Sequence, residues 1–142
     1  MSKIVRAWPE PEAGQILWCH FPETPQLKPG PKPRPALVLT VFDDNAPPFR
    51  VRVTYGTSQK IQRLYAGEFR ITPEDGEAYR LAGLSFPTKF SLASHVELPY
   101  TATWFSPPPT TPFGQTPKMG ILHPSQLRKA AAAWKAVAAS QR

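Results

Sequence analysis

The clearest pattern along the chain is an alternation of apolar and polar residues between positions 49 and 55. The apolar members are Phe49, Val51, Val53 and Tyr55. Two arginines and a threonine fill the positions between them. Because successive side chains of a strand point to opposite faces, this alternation predicts a β-strand with one buried face and one face in water.

A second strand is predicted just before it, where residues 36–41 form an apolar run after Pro35. A short apolar run bounded by turn signals is typical of a strand that is buried on both faces. Residues 43–45, together with the prolines at 47 and 48, supply the turn that follows. Two such strands joined by a tight turn predict an antiparallel hairpin.

The rest of the pattern consists of short elements separated by turns. Four further strands are predicted at residues 15–21, 68–71, 86–92 and 95–100. Thr72, Pro73 and the two acidic residues after them predict a brief helix that reaches about Leu81 and ends at Gly83. Short strands and frequent turns predict a mainly β fold, built as a small, strongly bent antiparallel sheet or barrel.

One longer helix is predicted near the C-terminus, over residues 124–139. Its apolar face carries Leu127, Ala130 or Ala131, Trp134 and Val137. Because Trp134 is the largest of these side chains, we expect it to anchor the helix on the barrel.

Length and composition fit one globular domain of 142 residues with 41% hydrophobic residues. Two long irregular loops are predicted at residues 22–35 and 106–118, which contain six and five prolines. Cys19 is the single cysteine, so we expect a packed thiol in a reducing compartment. No signal peptide or membrane-spanning run is seen, which predicts a soluble cytoplasmic protein.

The net charge of +7 favours a polyanionic partner, either a nucleic acid or an acidic protein. Phosphate-binding loops, dinucleotide fingerprints and zinc-ligand spacings are missing from the sequence, so we expect no cofactor and no metal. Arginine, lysine, threonine, serine and histidine lie at predicted strand ends instead. Such residues suit metal-free cleavage of RNA, where the ribose 2′-hydroxyl is the nucleophile.

Arg34 is the most conspicuous of these residues, because it lies between Pro33 and Pro35 at the start of the buried strand. The prolines fix the backbone on either side, so the guanidinium is set to bind a planar anion with two hydrogen bonds. The alternative is a solvated charge ahead of a core strand.

Three segments together resemble the MazF/PemK family of toxin–antitoxin ribonucleases. Residues 14–18 read GQILW, residues 32–39 read KPRPALVL and residues 51–58 read VRVTYGTS. Residues 90–92 and 96–99 are similar to the downstream hairpin of that family. The resemblance covers residues 14–100.

The resemblance implies an SH3-like barrel with its core at about residues 14–104, commonly assembled as a homodimer. It also implies cleavage of single-stranded RNA without a metal, which leaves a 2′,3′-cyclic phosphate, and an acidic antitoxin as partner. Arg34 and Thr57 match the catalytic arginine and threonine of the family. The loop at residues 23–33 matches the segment that covers the RNA channel, stiffened here by prolines.

The general base is the point where this sequence departs from the family. Ser91 occupies the position at which some relatives carry an acidic residue, and Glu97 is expected on the wrong face. His20 is the best substitute, because its intrinsic pKa lies near neutrality. The alternative for His20 is a hydrogen-bonded structural histidine.

Contacts to the RNA backbone are predicted for side chains around the same strand ends. They are Lys28, Lys32, Ser58, Lys60 and Arg52, with Arg50 as a further possibility. The alternative for the two arginines is a solvated strand face. Two other functions stay open: a non-catalytic barrel that binds an acidic protein or a nucleic acid, and inhibition of a DNA enzyme such as gyrase, by analogy with a related barrel family.

Overall fold

The computed structural model describes residues 8–22, 28–42 and 49–140. Its six strands are β1 (Gln15–Cys19), β2 (Arg34–Phe42), β3 (Arg50–Thr57), β4 (Glu68–Ile71), β5 (Thr88–Pro99) and β6 (Lys118–Ile121). Its helices are α1 (Glu77–Leu81) and α2 (Leu127–Ser140), which follow 3-10 turns at Pro73–Asp75 and Pro124–Gln126. The predicted turn at residues 43–48 and part of the loop at residues 23–33 lie outside the described residues.

The strands form one curled antiparallel sheet in the order β4-β5-β3-β2-β1-β6. The predicted mainly β fold is confirmed, and the curled sheet with its C-terminal helix is consistent with a small SH3-like barrel. The predicted hairpin is also confirmed, because β2 pairs with β3 in antiparallel register.

Two hydrophobic clusters lie on opposite faces of the sheet. Ile16 and Leu37 belong to one cluster, which also receives side chains from α2. Leu17 and Val38 belong to the other. Adjacent residues of β1 and β2 therefore point into different cores, as predicted for the strand at residues 36–41. Full burial is limited to residues 36–38, and the rest of β2 is half-buried.

The alternation predicted for β3 holds only as far as Val53. Thr54 is fully buried, and its hydroxyl donates to the backbone oxygens of Ser91 and Ser94. The pairing of β3 with β5 shifts there, since Thr54 faces His95 whereas the next residue of β3 faces Ser91. The break predicted between two strands at residues 93–94 is therefore a bulge within the continuous strand β5.

β6 was not predicted, because residues 118–121 were assigned partly to the proline-rich loop. This strand pairs with β1 and forms one edge of the sheet. The backbone that follows α1 packs directly on it: a Cβ on Gly83 would lie 2.0 Å from the backbone oxygen of Met119, and one on Gly120 would lie 2.2 Å from that of Leu81. Only glycine permits so close an approach of two backbones.

The helix predicted at residues 124–139 is confirmed, and so are Val137 and Ala130 on its contact face, but Leu127 and the expected anchor Trp134 are not part of that face. Ala133 and Val137 are buried, whereas Trp134 and Leu127 are 45% and 55% exposed. A Cβ on Gly67 would lie 2.6 Å from Val137, so the helix docks closely through small side chains. Trp134 lies at the edge of this contact, with its ring centroid 5.9 Å from that of His95.

Within residues 8–22, 28–42 and 49–140, no helix combines the length and the apolar character needed to cross a membrane.

Candidate active site

Arg34 and Thr57 lie at the same end of two neighbouring strands. β2 begins at Arg34 and β3 ends at Thr57, and Ala36 pairs with Tyr55 between them. A Cβ on Gly56 would lie 2.8 Å from the backbone oxygen of the residue that follows Arg34, so the two backbones stay adjacent beyond that pair. The register, continued by two residues, sets Arg34 opposite Thr57. Directly opposed residues share a face, so the two predicted catalytic residues lie on one face of the sheet.

The same line of pairing continues across the sheet. Thr57 pairs with Lys89 of β5, and Lys89 pairs with Arg70 of β4. We call Arg34, Thr57, Lys89 and Arg70 the cationic row. A threonine hydroxyl opposite an arginine at a sheet end is an arrangement that suits a phosphate group.

Arg34 is half-buried beside an aromatic residue. Its Cζ atom lies 5.8 Å from the ring centroid of Tyr55, a cation–π contact. Phe21 packs on the other side of Tyr55 at 5.4 Å between centroids. These three residues line an opening together with Pro22 and Ser94, which we call the Tyr55 pocket. The contact restricts where the guanidinium can point.

A second cavity of about 340 Å³ also includes Arg34 in its wall. We call it the Trp18 pocket. Trp18, Phe86 and Pro108 contribute apolar surface to it, and Ser58 contributes a hydroxyl. Arg34 thus lines both openings, one from each side of the start of β2.

The hydroxyl of Thr57 is half-exposed and oriented by its own loop. Its Oγ1 atom accepts a hydrogen bond from the backbone N–H of Gln59 at 3.1 Å. Because a hydroxyl has one proton to donate and two lone pairs, this bond leaves the Thr57 proton for an anionic oxygen.

Sequence reasoning missed the ion pair next to Thr57. Lys89 is 5% exposed, and its Nζ atom lies 2.9 Å from Oε1 of Glu68. No local pattern reveals this pair, because a lysine within a strand resembles a solvated residue and Glu68 lies on another strand. Only the register of β4 on β5 brings the two together.

The cationic row also fixes the loop that follows Thr57. Lys89 donates to the backbone oxygen of Arg63 at 3.0 Å, and Arg70 donates to that of Ile61 at 2.8 Å. The backbone N–H of Tyr65 donates to the carboxylate of Glu68 at 2.8 Å. Three side chains of β4 and β5 therefore hold residues 61–65 in place.

His20 is held by contacts on both ring nitrogens. Nδ1 lies 3.3 Å from the backbone oxygen of Gly30, and Nε2 lies 3.2 Å from Oγ of Ser106. Cys19, its neighbour, pairs with Arg34, so His20 points to the opposite face of the sheet. These contacts are those of a histidine that joins two loops, and its role as a general base stays a prediction.

Ser91 and Glu97 occupy different ends of β5. Ser91 pairs with Tyr55 on one side and with Glu68 on the other, so a carboxylate lies directly across from it. Glu97 pairs with Arg52, five positions along β3 from Thr57. Glu97 therefore lies away from the cationic row, in agreement with the expectation for its position.

Arg52 forms an ion pair with Glu97, and its side chain is only partly exposed to solvent. Its Nη2 atom lies 3.1 Å from Oε2 of Glu97, and the same carboxylate lies 3.3 Å from Arg50. Both guanidinium groups lie over the ring of Phe42. These contacts favour the solvated strand face as the role of the two arginines.

The other predicted RNA contacts are exposed side chains near the start of β2 or the end of β3: Lys28, Lys32, Ser58 and Lys60. Cys19 is fully buried, and this burial raises the pKa of its thiol, as expected for a packed thiol. Among the described residues, no three His, Cys, Asp or Glu side chains cluster in a way that could hold a metal ion.

No protein-family model matches the chain, and no curated protein matches it at a significant level. The resemblance to the MazF/PemK family therefore depends on the motifs described above and on the site to which they contribute.

Proposed function

We propose that this chain is a sequence-selective, metal-independent endoribonuclease of a toxin–antitoxin system that cleaves single-stranded RNA. The observation that carries the proposal is the position of Arg34 and Thr57, which end neighbouring strands on one face. The half-buried guanidinium binds the scissile phosphate, and the Thr57 hydroxyl donates to one of its oxygens. Both groups then stabilise the negative charge that develops in the transition state.

The reaction is an intramolecular transfer. The 2′-oxygen forms a new bond to phosphorus, the bond from phosphorus to the 5′-oxygen breaks, and the products are a 2′,3′-cyclic phosphate and a 5′-hydroxyl. A base removes the 2′-proton, and an acid returns a proton to the leaving oxygen. A threonine hydroxyl is too weak a base for the first step.

Two residues are candidates for that base. His20 is the residue expected from sequence, but it points to the face of the sheet opposite Arg34. Glu68 is the carboxylate that faces Ser91 on the same face as the cationic row. Opposed residues on one face have Cβ atoms about 4.5–5.5 Å apart, so Glu68 can replace an acid at position 91. The ammonium group of Lys89 lies 2.9 Å from this carboxylate and holds it in place beside Ser91.

Partners follow from the same proposal. The net charge of +7 supports both single-stranded RNA and an acidic antitoxin as ligands. A homodimer in the cytoplasm is the assembly that the resemblance implies. The function as proposed uses no cofactor.

The test is cleavage of labelled single-stranded RNA pools by the purified protein in EDTA, with the product ends identified. We expect cyclic-phosphate ends from the wild type and a loss of about 100-fold or more in rate for Arg34→Ala, the scale seen when a transition-state donor is removed. Arg80→Ala is the matched control, because Arg80 is 75% exposed on α1. Intact RNA with folded wild-type protein, or an Arg34→Ala variant as active as the wild type, would contradict the proposal.

A second candidate function is a non-catalytic barrel that binds RNA or an acidic protein. It is favoured by the contacts of the two candidate bases: His20 is bonded at both ring nitrogens, and Glu68 is paired with Lys89. Binding of RNA without cyclic-phosphate products would identify this function.

A further inference from the structure

We propose that the Trp18 pocket binds the nucleobase on one side of the scissile phosphate and thereby selects the cleavage sequence. This inference rests on the proposed ribonuclease function and names the group that the pocket takes. It concerns a cavity of about 340 Å³, within the range of about 300–1,000 Å³ that is typical of small-ligand sites.

The position of the pocket relative to the phosphate site is the first argument. Arg34 lines it, and so do Gly56 and Ser58, the two neighbours of Thr57 in the chain. Because successive residues of a strand alternate faces, Gly56 and Ser58 lie on the other face from Thr57, and Arg34 at the end of its strand is the residue shared by the phosphate site and the pocket. A phosphate held by Arg34 therefore lies at the edge of the pocket. In RNA, the group joined to that phosphate through one sugar is a base.

The walls of the pocket are the second argument. Trp18 is half-buried and Phe86 is 66% exposed, so both present aromatic surface to a ligand. Ser85 and Thr110 add hydroxyl groups to the lining. Single-stranded RNA is recognised by stacking on aromatic side chains combined with hydrogen bonds to base edges, and the pocket offers both.

The proline-rich segment after β5 makes one wall rigid. Pro108 is buried, and Pro109 and Pro112 line the cavity with it. The segment is tied at its start, where the backbone N–H of Ser106 donates to the oxygen of Trp18 at 3.2 Å and the hydroxyl of Ser106 contacts His20. A wall that is already ordered loses little conformational entropy when a base binds.

The Tyr55 pocket lies on the other side of the same guanidinium. Phe21 and Tyr55 line it, and Arg34 is part of its wall. An anion site with an aromatic opening on each side matches one dinucleotide step, in which a phosphate joins two nucleosides. Each pocket is lined by two aromatic residues, and the Trp18 pocket is proposed as the selector because more proline and hydroxyl groups line it.

The test compares Phe86→Ala with Phe113→Ala, because Phe113 is an exposed phenylalanine outside the pocket lining. Each protein cleaves a random-sequence RNA pool, and sequencing of the products gives the preference at every position near the cut. We expect Phe86→Ala to lower kcat/KM on the preferred RNA about tenfold, as for loss of one base stack. The sequence preference of Phe86→Ala should weaken at one position next to the cut. The kcat/KM of Phe113→Ala should stay within about twofold of the wild-type value.

A binding measurement separates this inference from the proposed function. Random 2′-O-methyl hexamers cannot be cleaved, and their binding is followed through the indole N–H signal of Trp18 in NMR spectra. Shifts of this signal that Phe86→Ala abolishes support the base pocket, even if the wild type cleaves nothing and the ribonuclease proposal fails. If the wild type cleaves RNA and Phe86→Ala keeps the same sequence preference at the cut, the base pocket alone is overturned. If the Trp18 indole signal shifts with peptides and not with the hexamers, the pocket belongs to a protein partner.

Discussion

Nζ of Lys89 lies 2.9 Å from Oε1 of Glu68, and the two side chains are only 6% and 13% exposed. Lys89 belongs to the cationic row, where it pairs with Thr57. Two charges removed from water stabilise each other only while both are present, because either one alone has a large desolvation cost. The pair therefore links the stability of the sheet to the geometry of the site.

Replacement of Lys89 by methionine keeps an unbranched side chain one atom shorter and removes its charge. We expect the free energy of unfolding to fall by about 3–5 kcal/mol, because Glu68 is left buried without its partner. Urea denaturation followed by circular dichroism measures this loss. The double variant Lys89→Met/Glu68→Leu should recover much of it, and a double variant no more stable than the single one contradicts the explanation.

An exposed ion pair provides the comparison. Arg80 and Glu77 lie 4.0 Å apart on α1, with side chains that are 75% and 64% exposed. Arg80→Ala should change the free energy of unfolding by less than about 0.5 kcal/mol, the usual scale of an exposed helical pair. A large effect here would mean that burial does not explain the behaviour of Lys89.

Gly56 controls the approach of β2 to β3 beside the site. A Cβ at this position would lie 2.7 Å from Cε1 of Phe90 and 2.8 Å from the backbone oxygen of Pro35. We expect Gly56→Ala to cost about 1–3 kcal/mol of stability through overpacking. Because the strands must separate to fit the methyl group, Arg34 and Thr57 move apart and the rate of RNA cleavage falls.

Gly76→Ala is the control for this substitution. A Cβ at Gly76 would have open space around it, and only the positive φ of 62° is unfavourable. The control should lose about 1–2 kcal/mol of stability, the cost of a left-handed backbone for alanine, and should cleave RNA at the wild-type rate. Equal loss of cleavage in both variants would show that stability, and not strand spacing, limits activity.

Thr57→Val removes one hydroxyl while it keeps the shape of the side chain. We expect kcat for RNA cleavage to fall about 10²-fold, because the donor acts on charge that develops in the transition state. KM should change little, and steady-state kinetics on one oligonucleotide separates the two constants. Thr103→Val, at an exposed threonine in a turn, should behave like the wild type. A change confined to KM would assign Thr57 to binding alone.

Asp75 gives the fold a dependence on acid pH. Burial opposes ionisation of its carboxyl, but the hydrogen bond from the Thr72 N–H and the ammonium group of Lys129 outweigh it, so the pKa of Asp75 is lowered. A lowered pKa in the folded state stabilises the protein above the pKa of the unfolded chain, and this stabilisation is lost as pH falls through the folded value.

We therefore expect Asp75→Asn to reduce the free energy of unfolding by about 1 kcal/mol at pH 7, the scale of one hydrogen bond at a helix start. The difference from the wild type should shrink as the pH falls below about 4, the ordinary value for an aspartate. Urea titrations at pH 7 and pH 3 measure it. A difference of the same size at both values would exclude the charge of Asp75 as its cause.

The elements that could be predicted from sequence are those whose signals are local. The alternation around Val53 and the apolar run at residues 36–41 are patterns of consecutive residues. Both predict strands that the structure contains, β3 and β2. The pairing of Lys89 with Glu68 and of Thr57 with Lys89 depends on cross-strand register, which a single sequence does not encode locally. Arg34 and Thr57 were found because a recognisable motif surrounds each of them.

The errors in the sequence predictions also come from contacts between residues that are far apart in the chain. The anchor of α2 was predicted to be its largest side chain, Trp134. The helix instead docks through small side chains, the predicted Val137 and the unpredicted Ala133, because Gly67 opens space for a close approach. β6 is short and contains Gly120, so it shows no strand alternation. Its place in the sheet is set by a partner strand that lies far away in the sequence.

The pairing of β6 with β1 has a consequence for synthesis of the chain, because its two strands are far apart in the sequence. β1 is the partner of β6, so one edge of a strand near the N-terminus stays unpaired until residues 118–121 have left the ribosome. Met119, which belongs to both the core and the Trp18 pocket, also arrives only then. A nascent chain therefore carries an unfinished sheet, and the Trp18 pocket becomes complete only after residues 118–121 have left the ribosome.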